Sequence, residues 1–154
     1  RINELLSQFG AESVLDAGCG EGYYTRQLAA DFPASTFIGL DLSRDGIRAA
    51  ARQPGMVLWL VADLKQLPLA DHQTDVVLDV FTPANYDEFA RVLKPEGELI
   101  KVIPDSDYLS EIRSAFQPFL RQEGYSNQQV LDHLDRHYRA EQRFPLLQDS
   151  FSGF

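Results

Sequence analysis

The sequence predicts an α/β protein, a doubly wound and mostly parallel sheet with helices on both faces, and three observations carry that expectation. Short apolar runs recur along the chain, separated by stretches with helical periodicity. Several of these runs, at 13–17, 36–41 and 56–61, carry an aspartate at or just past their carboxyl ends. The first breaks into glycines at alternate positions, Gly18, Gly20 and Gly22, where a helix begins. Strands alternating with helices of about ten residues favour parallel pairing, and such sheets bind ligands outside the carboxyl ends of their strands.

Taken in order, residues 1–9 place Ile2, Leu5, Leu6 and Phe9 at helical spacing, with Gly10 as the stop. Ser13 to Ala17 reads as the first strand and Tyr23 to Phe32 as a crossover helix closed by Pro33. Thr36 to Asp41 is β-branched and aromatic and runs into Ser43, an N-cap for a helix reaching about Gln53. Met56 to Val61 is a third strand and Asp75 to Phe81 a fourth. Tyr86 to Leu93 follows as a helix, Lys94 to Gly97 as a turn and Glu98 to Ile103 as a fifth strand. Past Pro104, helical spacing returns over Asp105–Gln117 and Ser126–Tyr138, and an apolar strand begins over Arg143–Leu147. Phe116, Phe119, Leu120 and Tyr125 read as a core stripe within that part.

Composition bounds the function. The chain has 154 residues, 44% of them hydrophobic, which suits one folded domain over 1–154. No apolar run approaches the ~20 residues that span a bilayer, and the start lacks a signal-type apolar core. A cytoplasmic protein without membrane association is expected, with self-association as a homodimer left open. The formal charge is −9 and no basic run interrupts it, a balance that by itself favours a small-molecule enzyme over a nucleic-acid binder. Cys19 is the lone cysteine and reads as a structural residue wedged between two glycines.

The glycine spacing selects among nucleotide-like ligands. A dinucleotide fingerprint counted from Gly18 needs a third glycine where Tyr23 stands. The loop instead carries Asp16 and Glu21, which suit a ligand bearing a sulfonium and an amino group, as S-adenosylmethionine does. Candidate cofactor-binding residues around the loop are Asp16, Gly18, Cys19, Gly20, Glu21 and Tyr24. Asp41 follows Gly20 at the interval of about 20 residues expected of a ribose-binding carboxylate, although it also suits a plain N-cap. Asp63 beside Ala62 is placed for an adenine amine, with Leu42 and Leu64 to cover the ring faces. Asp16, Asp41, Asp63 and Asp79 are expected on one rim. Asp79, Phe81, Pro83 and Asn85 are the candidate catalytic residues, Phe81 offering an aromatic face and Asn85 a polar edge to an acceptor, while Asp79 alternatively pairs with a lysine.

The run Val14-Leu15-Asp16-Ala17-Gly18-Cys19-Gly20-Glu21-Gly22 resembles the first motif of class I S-adenosylmethionine-dependent methyltransferases. Further segments narrow the likeness: Gly22-Tyr23-Tyr24, Gly39-Leu40-Asp41-Leu42-Ser43, Trp59 with Val61-Ala62, Leu67-Pro68, Glu88 through Gly97, and Leu99-Ile100-Lys101-Val102-Ile103-Pro104. Over residues 10–115 the chain resembles the bacterial methyltransferases that act on guanine N1 of 23S ribosomal RNA. That resemblance implies a seven-stranded fold, methyl transfer to a guanine ring nitrogen, ribosomal RNA as partner of the complete protein, and an N-terminal zinc module. No Cys/His cluster for such a module stands in this sequence, which therefore reads as a fragment without a metal site; His133 and His137 at i, i+4 read as a solvated helix face. Two other functions stay open: a small-molecule methyltransferase, favoured by the acidic charge, and a protein that binds the cofactor without catalysis.

Overall fold

The computed structural model describes residues 2–103 together with Asp132 and Leu134. Arg1–Val102 make one compact unit and Ile103–Phe154 a second. The first unit runs α1 (Ile2–Phe9), β1 (Ser13–Ala17), α2 (Tyr23–Asp31), β2 (Thr36–Asp41), α3 (Arg44–Ala51), β3 (Val57–Val61), β4 (Thr74–Val80), α4 (Tyr86–Val92) and β5 (Leu93–Val102). The strands form one parallel sheet in the order β3-β2-β1-β4-β5. The order reverses between β1 and β4, so the loops after these two strands diverge from one crevice, the usual ligand seat of a doubly wound sheet. Asp132 and Leu134 are helical, inside the helix expected over Ser126–Tyr138. The other expectations past Pro104, including the Phe116 to Tyr125 stripe and the His133/His137 pair, lie outside the described residues.

Strand alternation divides the core into two faces. Leu6 of α1 and Leu28 of α2 pack with Val14, Phe37, Val76, Leu78 and Ile100 on one face. The intervening residues Leu15, Ala17, Leu40 and Val77 point the other way and are fully buried as well. Burying each of the Leu, Val, Ile and Phe side chains contributes roughly 1.5–3 kcal/mol, so both faces of the sheet are strongly held. Lys94–Gly97, expected as a turn, lies within β5, but as a departure from the ladder: Thr74 pairs with Leu93 and Val76 already with Glu98. The excess residues bulge beside Asp75, and a side chain at Gly97 would meet the Lys94 carbonyl at 2.9 Å.

No helix links β3 to β4. The connection is held instead by polar side chains of α4. Arg91 donates from Nε and one Nη to both Glu88 oxygens at 2.8 Å, and further to the carbonyls of Leu69 (2.9 Å) and Leu67 (3.0 Å) and to Asp71 (2.8 Å). Glu88 also accepts from the Leu67 amide at 2.7 Å. Chiefly the hydrogen bonds from Arg91, aided by the Leu67 amide, hold the Glu88 carboxyl down at about 2. A carboxyl depressed in the folded state stabilises above its ordinary range and loses that contribution as pH falls toward 2. Glu88→Gln should therefore lower the melting temperature at pH 7, with the difference from the parent shrinking below pH 4. A difference independent of pH would show that the charge of Glu88 does not hold this connection.

Candidate cofactor and acceptor site

Gly18, Gly20 and Gly22 all take positive φ (82°, 56° and 71°), which turns β1 sharply into α2. Two of them are also required by contact. A Cβ on Gly18 would collide with the side chain of Thr82, and one on Gly22 with the indole of Trp59. Trp59 also lies over Gly39, its register partner on β2, so one ring seals the back of the loop against two glycines. Sequence reasoning gave Trp59 no role; a large aromatic beside a strand glycine was the available signal.

Most of the loop's amides are already used within the protein. Gly18 and Cys19 both donate to the Leu40 carbonyl (2.7 and 3.0 Å), Gly22 donates to Cys19 (2.8 Å), and Gly20 donates to Asp41 Oδ2 (2.8 Å). A pyrophosphate needs such amides turned outward. This loop presents carboxylates instead.

Asp16 is the most perturbed of them. It is buried at the end of β1 and accepts from Thr25 Oγ1 at 2.5 Å. Burial pushes its carboxyl up to about 6, the Thr25 hydrogen bond opposes this, and the fields of Asp79 and Asp41 add to it. A cationic group beside it would relieve that cost. The same burial, with Asp16 and Asp41 nearby, drives the Cys19 thiol up to about 12, so Cys19 stays protonated and unreactive.

Asp41 uses both oxygens on the protein, Oδ2 on the Gly20 amide and Oδ1 on the Ser43 amide at 2.7 Å. A carboxylate has about four lone-pair sites, so roughly two remain for ribose hydroxyls. The N-cap of α3 is Ser43, whose hydroxyl accepts from Gly46. Ala62 donates to the Asp41 carbonyl at 3.1 Å, which draws the loop after β3 toward the same rim. Asp63 is exposed there and accepts from the Lys65 amide at 2.9 Å. Leu42 is 70% exposed and Leu64 half-buried, as apolar covers for a ring require. Glu21 is exposed at the loop tip, and Tyr24 is half-buried, edge-on to Tyr23 at 5.3 Å.

At the rim after β4, Asp79 takes the second of its two expected roles, the pair with a lysine, and Asn85 bonds within the protein. Val76, Leu78 and Val80 face the α1 and α2 layer, so alternation turns Asp79 to the opposite face, away from Asp16. There Asp79 is 0% exposed and bound to Lys101 Nζ at 2.8 Å, and its field raises the hydroxyl of Tyr86 in α4, second to burial. Burial raises the Asp79 carboxyl too, against the pull of Lys101. Asn85 is the N-cap of α4: its Oδ1 accepts from Glu88 N and its Nδ2 donates to the Leu64 carbonyl at 3.1 Å. It thereby ties the loop after β4 to the loop after β3.

Phe81 and Pro83 do reach the surface. Phe81 is 52% exposed and holds φ +57°, a strained conformation for a bulky residue. Thr82 seats on Gly18, donating to its carbonyl at 3.3 Å. The loops after β1 and β4 thus touch, and an aromatic face stands beside the carboxylate-rich loop.

The chemistry of these residues suits S-adenosylmethionine: Asp16 would meet its cationic end, Asp41 the ribose, and Asp63 with Leu42 and Leu64 the adenine. When bound, the cofactor supplies a methyl group already activated by its sulfonium. The chain's part is to hold it, exclude water and align an acceptor.

Comparison with known proteins agrees. The methyltransferase domain family matches residues 14–97. A Bacillus subtilis (strain 168) protein, provisionally named a 23S rRNA (guanine-N(1)-)-methyltransferase, is 44% identical over 133 residues, covering 82% of this chain and 47% of the relative. The 23S rRNA (guanine(748)-N(1))-methyltransferase of Streptomyces fradiae is 32% identical over 130 residues, covering 84% of this chain and 46% of its own length. The chain spans about half the length of the curated relatives it matches. Among solved structures, a SAM-dependent methyltransferase from Aquifex aeolicus superimposes with a TM-score of 0.66 at 21% identity, over 87% of this chain and 77% of that one, a likeness of fold. With a glycine loop closed to phosphate, carboxylates along the rim and the family match spanning both, the chain belongs to the class I S-adenosylmethionine-dependent methyltransferase domain family.

Proposed function

We propose that the complete protein transfers the methyl group of S-adenosylmethionine to N1 of a guanine in 23S ribosomal RNA. The observation that carries this is the 44% identity to the Bacillus subtilis relative, whose name specifies that reaction. The exposed ring of Phe81 supports it, since a base turned out of its stack is commonly held on an aromatic face. Methylation at N1 also requires loss of the ring proton. Asp79 is not its acceptor, because it is buried and bound to Lys101.

The test is incubation of the complete protein with transcripts of 23S hairpins, read by primer extension, because a methyl on N1 blocks the pairing edge of guanine. A new stop at a guanine is expected. Phe81→Ala should lower the transfer rate by about tenfold or more while S-adenosylhomocysteine affinity stays nearly constant, a loss of ~1.4 kcal/mol confined to the acceptor. Equal losses in both would make Phe81 structural. Residues 1–154 alone should methylate the hairpins poorly, since phosphate contacts draw on cations that a chain of charge −9 does not cluster. That charge favours a second reading, a small-molecule acceptor, which gains if the complete protein leaves every hairpin unmodified.

A further inference from the structure

We propose that the buried Asp79–Lys101 pair positions the acceptor segment: Lys101 draws in the Thr82 carbonyl and so keeps Phe81 in its left-handed conformation on the rim. This rests on the reading that Phe81 meets the acceptor. Lys101 Nζ donates to Asp79 Oδ2 at 2.8 Å and to the Thr82 carbonyl at 2.5 Å, with the two side chains 8% and 0% exposed. Desolvating two charges is costly, and an apolar pair of similar volume commonly holds a core as well. Cohesion of the sheet does not ask for this pair, because β4 and β5 stay in register from Val76 to Val80 through their backbones. An apolar pair could not bind a carbonyl.

The bound carbonyl lies just where the chain leaves the sheet. Asp79 and Lys101 are register partners, Val80 ends β4, and Thr82 follows two residues later. Anchoring the Thr82 carbonyl back beside Asp79 reverses the chain at Phe81, whose φ of +57° a bulky residue keeps only where its surroundings impose it. Two other ties complete the clamp. Phe81 N donates to the Val102 carbonyl at 3.0 Å, and Thr82 Oγ1 donates to the Gly18 carbonyl at 3.3 Å. Lys101 is thereby linked through one residue to the glycine loop on which the cofactor would lie. Asp79 Oδ1 is buried without a hydrogen bond of ordinary geometry, and the Thr82 amide faces the same carboxylate, so both backbone groups of Thr82 address the pair. Lys101 and Asp79 are positioning residues, acting through Thr82 and Phe81.

The experiment compares the complete protein with its Asp79→Leu/Lys101→Met double variant and with Lys101→Arg. The double variant removes both charges and leaves neither uncompensated. Lys101→Arg keeps the charge, but the larger planar guanidinium does not fit the buried position of an ammonium lying 2.8 Å from Asp79 and 2.5 Å from the Thr82 carbonyl without moving that carbonyl. For each, the melting temperature, the S-adenosylhomocysteine affinity, the methyl-transfer kcat and KM, and the Phe81 φ in a crystal structure are measured. The double variant should melt no lower than the parent and bind S-adenosylhomocysteine within about twofold. In both variants kcat should fall about tenfold or more with KM for S-adenosylmethionine unchanged, and Phe81 should return to negative φ. If the double variant does not fold, Lys101→Arg decides. Retention of positive φ at Phe81 with unchanged kcat overturns the proposal. The φ and the affinity are read without any acceptor, so failure of the unaltered complete protein to methylate guanine N1 would overturn the acceptor reading instead.

Discussion

Asp16→Asn should make the protein more stable and its cofactor site weaker. In the folded chain burial raises the Asp16 carboxyl from 3.8 to about 6, with Asp79 and Asp41 adding to the effect against the Thr25 hydrogen bond. A carboxyl raised on folding costs nothing below its unfolded value, where it is protonated in both states. The cost grows as pH climbs from about 4 to 6 and is complete above 6. Its size at pH 8 is on the order of 3 kcal/mol. Asparagine carries no charge, and its carbonyl oxygen can still accept from Thr25 Oγ1, now 2.5 Å from the carboxylate. Urea denaturation should therefore show a gain of about 2–3 kcal/mol at pH 8 that disappears near pH 4. S-adenosylhomocysteine affinity at pH 8 should drop by tenfold or more, about 1.4 kcal/mol, because the charge that opposes folding would be the one that meets the ligand's ammonium. A variant less stable at pH 8 than the parent, or equally shifted at both pH values, would show that Asp16 is not held as a strained carboxylate.

Asp41→Ala should cost the cofactor about a hundredfold or more in affinity, near 3 kcal/mol. The expected loss has two sources. Its carboxylate is a candidate acceptor for the ribose hydroxyls, and it also holds the Gly20 and Ser43 amides at 2.8 and 2.7 Å, pinning the glycine loop to the end of β2. Removing it leaves the partly buried Gly20 amide without its partner, worth roughly 1–3 kcal/mol, and turns the exposed Ser43 amide over to water. Asp41→Asn should fall between, because one oxygen survives while the new amide faces an N–H. Calorimetric titration with S-adenosylhomocysteine reads all three proteins. An affinity for Asp41→Ala within twofold of the parent would remove Asp41 from the site.

The sequence by itself determined what depends on neighbours along the chain. Ser13–Ala17 and Thr36–Asp41 are strands with the bounds that short apolar runs and their flanking residues predict, and the helix ends differ by a residue or two. The alternate glycines, Asp16 before them and Asp41 at its interval mark the cofactor loop because their roles follow from spacing. Only the tertiary structure decided what depends on register between strands. Asp79 belongs to the rim by sequence position, yet one step of alternation turns its carboxylate beneath α4 and onto Lys101, a residue 22 positions away. Asn85 reads as a free polar edge until its partners, Leu64 and Glu88, are brought to it from both sides. The left-handed turn at Phe81, the seating of Thr82 on Gly18 and of Trp59 on Gly22 and Gly39 likewise join segments that no local pattern links. Backbone conformation is largely a local preference, whereas the direction and partner of a buried polar side chain are fixed by which strands lie side by side.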